Sequence, residues 1–179
     1  ICPMSDGAAA VLLCAMDCAD RFPKKPVRIA GIGQATDTHV VAQRAVPTDL
    51  LAVRLAAGLA YAMAGMGAQD MDVAELHDAF QILEIVESEE VGFFPRGEGH
   101  LALRRGETSL GGRIPVNTSG GLKAKGHPLG ATGVSQIIEV VRQLRGEAGA
   151  RQVHGARAGL CVNFGGFGNN VVATVLAGD

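Results

Sequence analysis

The sequence has no tryptophan and one tyrosine, and aromatic residues make up 4% of its 179 positions. Its 25 glycines and 47% hydrophobic content point instead to a tightly packed α/β protein. That length suits one domain, residues 1–179, able to bury a core. Neither sign of charge is in excess: the formal net charge is −2 and no basic stripe is visible, which excludes a nucleic-acid partner. No apolar run is long enough to span a bilayer. The opening stretch ICPMSDGAAAVLL lacks the basic region of a signal peptide. It also lacks an initiator methionine, so the chain is expected to begin inside something longer. The four cysteines, Cys2, Cys14, Cys18 and Cys161, match no zinc or disulfide spacing. We therefore expect no metal, free and mostly buried thiols, and a cytoplasmic setting. There is no Walker A motif. In GIGQAT (31–36), Thr36 stands where a dinucleotide loop needs its third glycine, and no helix clearly follows, so a Rossmann site is rejected.

What is present alternates between two periods. AAAVLLCAM (8–16) reads as a fully buried strand, and VRIAGIGQA (27–35) as a second. Thr48 and Asp49 open a helix striped by Leu51, Leu55, Leu59, Met63 and Met66, which Gly67 stops. VAELHDAF (73–80) reads as a short strand turning into a helix, with Asp78 as N-cap and Gln81 completing a capping box. Ile82, Ile85, Val86 and Glu89 continue that helix to Gly92. Residues 93 to 121 read as a long loop, with Arg96, Arg104, Arg105 and Arg113 solvated. Pro128 then sits in the first turn of a helix whose apolar face is Val134, Ile137, Ile138, Val141 and Leu144. RAGLCVNFGG and NNVVATVLAG read as an antiparallel pair of strands. The alternation predicts an α/β layered fold with a mixed sheet.

Three residues are candidates for chemistry. His127, in KAKGHPLGATG, stands at a helix N-terminus between glycines that leave room for close approach. It reads either as a structural histidine or as a neutral imidazole able to donate to an oxyanion or take a thiol proton. His77, at the end of a strand, stands where chemistry collects in open sheets. Cys161, in GLCVNFGG, reads on its residues as an inert buried thiol, with an acid/base thiol as the alternative.

Taken together and in order, these motifs resemble the C-terminal half of a thiolase. SDGAAAVLL resembles the segment where that domain begins, and NTSGGLKAKGHPLGATG resembles the Gly-His-Pro loop. ELHDAF stands where many thiolases have Asn-Glu-Ala-Phe, and its histidine is similar to sterol-carrier-type and archaeal-type enzymes. GLCVNFGGFG stands where the last catalytic loop, Cys-x-Gly, is expected, but continues Val162-Asn163. Sterol-carrier-type enzymes can carry a cysteine at the position of Ala79.

The resemblance implies Claisen condensation or thiolysis of coenzyme A thioesters as substrates, with no bound cofactor. It implies that His127 activates a nucleophilic cysteine and donates to one oxyanion hole. His77 would hold a water in that hole, and backbone around Asn163 and Gly165 would serve a second. Gly126 and Asn117 would bind substrate, and Cys161 would be the acid/base. The nucleophile belongs to an N-terminal half that no part of this chain resembles. That half is thus an implied partner, as are a homo- or hetero-oligomer and an OB-fold/zinc-ribbon accessory protein. The alternatives are a thiolase-like retro-aldol lyase acting on a CoA ester and a non-catalytic subunit.

Overall fold

The computed structural model describes residues 1–178. Strands β3 (Ala158–Gly165) and β4 (Asn170–Ala177) form the antiparallel hairpin that the short connection predicts. β1 (Arg28–Thr36) pairs antiparallel with the outer side of β4, and β2 (Val73–Glu75) pairs parallel with β3. The order is β1-β4-β3-β2, a mixed sheet as expected. Both faces are covered, which is why β3 and β4 read as nearly continuous apolar runs. Leu160, Val162, Val171, Ala173 and Val175 face the main core. Cys161 and Leu176 face a smaller cluster on the other side.

Helix α1 (Leu51–Ala64) packs on β1, but not by the stripe its leucines suggested. Ala52, Val53, Ala56, Ala57 and Ala60 are buried, whereas Leu55, Leu59 and Met63 are 47–64% exposed. The reason is close approach. A Cβ on Gly31 or Gly33 of β1 would collide with the α1 carbonyls of Ala60 and Ala56, so both surfaces must be small here. The helix ends at Gly65, whose φ of 66° is left-handed, two residues before the expected stop. Thr48 and Asp49 do not cap it: Leu50 is the N-cap, and Asp49 pairs with Arg54 and Arg96.

Other expectations are corrected. Residues 8–16 form no strand: 5–15 are irregular and a 3-10 turn covers Met16–Arg21. Val11, Leu12 and Leu13 are exposed because no sheet edge among the described residues pairs with them. Asp78 does not cap helix α2 (Gln81–Glu90), and no capping box forms; the N-cap is Phe80. Residues 93–121 are not one loop. They include α3 (Gly99–Arg104) and bury Phe93, Phe94 and Ile114 in the core. The four arginines there are exposed, as expected, and three of them also have partners: Arg96 with Glu90, Arg105 with Glu107, and Arg113 with the Phe93 carbonyl while stacked 4.7 Å from the Phe94 ring.

A short helix α4 (Gly121–Lys125) and then α5 (Thr132–Arg145) follow. The most buried face of α5 is polar, with Gln136, Glu139 and Gln143 alongside Val140 and Leu144; Val134, Ile137, Ile138 and Val141 are only half-buried. Each of those side chains has a partner, as burial requires, although Gln136 Oε1 has none among the described residues. Gln136 donates to the Val162 carbonyl at 2.9 Å, Gln143 to the Arg151 carbonyl at 2.7 Å, and Glu139 pairs with Arg151. Among the described residues, no helix is long and apolar enough to cross a membrane.

Candidate functional site

The parallel register of β2 and β3 pairs Glu75 with Cys161. Two residues further on, the same register sets His77 beside Asn163, and His77 Nδ1 lies 2.9 Å from Asn163 Oδ1. The ring is buried, 4.5 Å from the Phe164 ring by centroid, and its backbone N–H donates to Glu87 Oε2 at 2.9 Å. With Asn163 Oδ1 as acceptor, Nδ1 carries the proton and Nε2 is left with its lone pair.

His127 arrives from the other side of the sheet's end. Gly126 caps α4 at a φ of 80°, and a side chain there would strike Ser5. The His127 N–H donates to the Pro3 carbonyl at 2.9 Å. Its Nδ1 is 2.7 Å from Thr132 Oγ1, and the Thr132 hydroxyl donates to the Pro128 carbonyl at 3.1 Å. Because the threonine proton is committed to Pro128, its oxygen accepts from Nδ1–H. The Nε2 lone pair of His127 is therefore free as well.

The two imidazoles meet with centroids 4.9 Å apart at 80°, and both line a cavity of about 820 Å³. Burial, followed by the nearness of His127, lowers the His77 pKa to about 4, against the Asn163 hydrogen bond. Burial also lowers that of His127, opposed by the Asp78 carboxylate. Both rings are neutral near pH 7, each offering a basic Nε2.

Two carboxylates flanking His77 hold the segment that carries His127. Glu75 accepts from the Ser119 N–H (3.1 Å) and hydroxyl (2.6 Å) and faces Lys125 Nζ at 3.4 Å. Asp78 accepts the Leu122 N–H at 2.8 Å. Neither role was read from sequence, because both partners lie more than forty positions away.

The expected site residues divide. His77, His127, Asn163 and Gly165 line the cavity, as does Ala79. Cys161 does not. It lies on the same face of β3 as Asn163 but deeper, beneath Val140 and Leu144 of α5. Burial, then the charge of Glu75, pushes its thiol well above its usual range. Asn117 is also displaced from the expected role. It is buried at a φ of 52°, accepting from the Leu76 N–H and donating to Glu84, so it braces β2 rather than facing the cavity. Gly126 stands behind His127 and not in the cavity wall. The thiol that does line the cavity is Cys2, whose N–H donates to the Ala79 carbonyl at 2.9 Å. Nothing in its local sequence marked it, since the contact is between residues 2 and 79.

Glu87 gives a prediction in its own right. It is fully buried, and one carboxyl oxygen holds the His77 N–H while the other has no partner. Burial first, then Asp78 and Glu84, raises its pKa well above 4.5. The unfolded chain releases this proton near the ordinary value and the native chain does not. Native Glu87 thus binds more protons above that pH, and its contribution to stability falls as pH rises. Glu87→Gln keeps an acceptor for His77 but cannot ionise. It is expected to raise the melting temperature by several degrees at about pH 8 and to change it little below about pH 4. Thermal unfolding followed by circular dichroism across pH checks this; a gain of equal size at both pH values contradicts it.

Comparison with known proteins identifies the family. The family described as Thiolase C-terminal domain-like matches residues 33–178. The acetyl-CoA acetyltransferase of Methanothermobacter thermautotrophicus is 47% identical over 175 residues, covering 98% of this chain and 46% of the relative. Sterol carrier protein 2 of Bos taurus is 39% identical over 181 residues, covering 97% of this chain and 33% of the relative. This chain thus spans about half or less of the length of these relatives. Among solved structures, one described as Ltp2-ChsH2(DUF35) aldolase superposes with a TM-score of 0.81 at 28% identity, covering 92% of this chain and 42% of that one. On sequence, fold and motif order alike, the chain belongs to the thiolase C-terminal domain family.

Proposed function

We propose that this chain is the C-terminal half of a thiolase-type acyl-CoA acyltransferase, completing an active site whose nucleophilic cysteine lies on an N-terminal half. The observation that carries this reading is the pair of neutral imidazoles in one cavity, each with Nε2 unengaged. His127 Nε2 takes the nucleophile's thiol proton as the thiolate adds to the thioester carbonyl. The new Nε2–H then donates to the oxyanion. His77 accepts a hydrogen bond from a water whose other O–H reaches the same oxygen. Backbone near Asn163 and Gly165 serves the second oxyanion. The α-carbon proton goes to a separate base, and in this reading that base is Cys2, since Cys161 lies outside the cavity.

The exposed Val11, Leu12, Leu13, Leu55, Leu59 and Met63 support a missing partner, because that apolar surface is costly in water. An oligomer and an OB-fold/zinc-ribbon accessory protein belong to the same reading, and free thiols fit a cytoplasmic setting. A second reading, a retro-aldol lyase on a CoA ester, is favoured by the aldolase to which the fold is similar.

The deciding experiment is to assemble the chain with the nucleophile-bearing half and assay CoA-dependent cleavage of acetoacetyl-CoA while trapping an acyl-enzyme. Cleavage with a trapped acyl-enzyme supports the transferase. Release of a ketone or aldehyde from a β-hydroxyacyl-CoA, without an acyl-enzyme, supports the lyase. A stable complex doing neither overturns both.

A further inference from the structure

The cavity that holds both neutral imidazoles is also lined by a charged side chain. Arg44 follows the 3-10 turn Val41–Gln43 and lines the wall. Its Nη2 donates to the Phe167 carbonyl at 2.5 Å, in the turn joining β3 to β4. That bond anchors one end of the guanidinium and uses only part of its fork. The Nε is buried and has no acceptor among the described residues. Among the described residues, no carboxylate lines the cavity and Arg44 makes no salt bridge. The nearby walls are apolar, formed by Val41, Leu50, Leu83 and Val86.

A buried N–H without an acceptor is costly, and a guanidinium is planar and presents paired donors matched to a carboxylate or a phosphate. Place also matters. Asn163, which touches His77, and Phe167, which holds Arg44, are four residues apart on one hairpin. At extended spacing that is at most ~13 Å, so one ligand can reach both.

We propose that Arg44 determines specificity by binding an anionic oxygen group carried on an otherwise apolar thioester whose carbonyl lies at the imidazole pair. This rests on the acyl-thioester reading above. The anion has two chemical sources, a carboxylate at the far end of the acyl chain or a phosphate of coenzyme A.

The test measures affinity by calorimetry for the full chain, alone and in the assembled complex, wild type against Arg44→Gln. Four probes separate the sources: acetyl-CoA, glutaryl-CoA, and the acetyl and glutaryl thioesters of N-acetylcysteamine, which carries no phosphate. If the phosphate is bound, Arg44→Gln weakens both CoA esters by about tenfold or more and leaves both N-acetylcysteamine esters unchanged. If the carboxylate is bound, it weakens both glutaryl esters by that factor and spares both acetyl esters. Arg44→Lys, which keeps the charge without the fork, is expected to fall between. The proposal is overturned if Arg44→Gln changes none of the four, weakens all four alike, or if the wild type binds none. Because binding is read rather than turnover, a wild type that binds the probes but does not turn them over defeats the transferase reading while leaving this one standing.

Discussion

His127→Ala is expected to lower turnover of the assembled enzyme by about 10³-fold or more. Two functions leave with one ring: the base that takes the nucleophile's proton and the donor that meets the oxyanion. The same geometry predicts a smaller, separable effect at Thr132. That hydroxyl fixes the His127 tautomer by accepting from Nδ1 while donating to Pro128. Thr132→Val removes the acceptor and leaves the imidazole present, so a loss of roughly ten- to hundredfold is expected, as for other groups that orient a ligand or base from behind. The rate at which iodoacetamide alkylates the nucleophilic cysteine separates this from a packing defect. It should fall in both variants, because each weakens thiolate formation. Alkylation that proceeds at the wild-type rate in His127→Ala would sink the mechanism.

The largest expected effect on stability is at Gly33. Any side chain there meets the Ala56 carbonyl of α1, and backbone cannot swing aside as a flexible side chain can. Gly33→Val is expected to cost about 3 kcal/mol or more and to lower the melting temperature by about 10 °C. Gly58, exposed in the middle of α1, serves as the control, since a methyl added there meets nothing within 4 Å. Gly58→Ala should stabilise by about 0.5–1 kcal/mol through the unfolded chain and helix propensity. Chemical denaturation of the two variants measures both. If Gly33→Val unfolds no more readily than the wild type, then α1 does not rest on β1 as closely as described.

Much of the architecture is legible without coordinates because it depends on short-range pattern. The β3–β4 hairpin follows from two apolar runs joined by a glycine-rich turn, and the mixed sheet from the order of helical and strand periods. Periodicity places β1 and helices α1, α2 and α5, though not to the residue at their ends. It also places His77 at the end of a strand, because β2 runs straight into a loop and helix.

Pattern failed wherever the answer depended on what lies opposite. The leucine stripe of α1 and its alanine stripe have the same spacing, and only the two glycines of β1 select the alanines. Residues 8–16 have the composition of a buried strand, but they pair with neither edge of the described sheet. Asp78 looked like a cap because Gln81 stands three residues on, whereas its oxygen is taken by Leu122, forty-four positions away. Cys161 and Asn163 share a face of β3 by period 2, which cannot say that α5 covers one and leaves the other open.

By itself, then, the sequence determined which segments are strands and helices in most of the chain, and which two histidines were worth following. The tertiary structure alone decided that those rings face each other 4.9 Å apart, that Thr132 and Asn163 choose their tautomers, and that Cys2 and Arg44 share their cavity. The physical reason is range. Periodicity and turn chemistry act over a few residues, while the site is set by strand register and by hydrogen bonds between positions far apart in the chain.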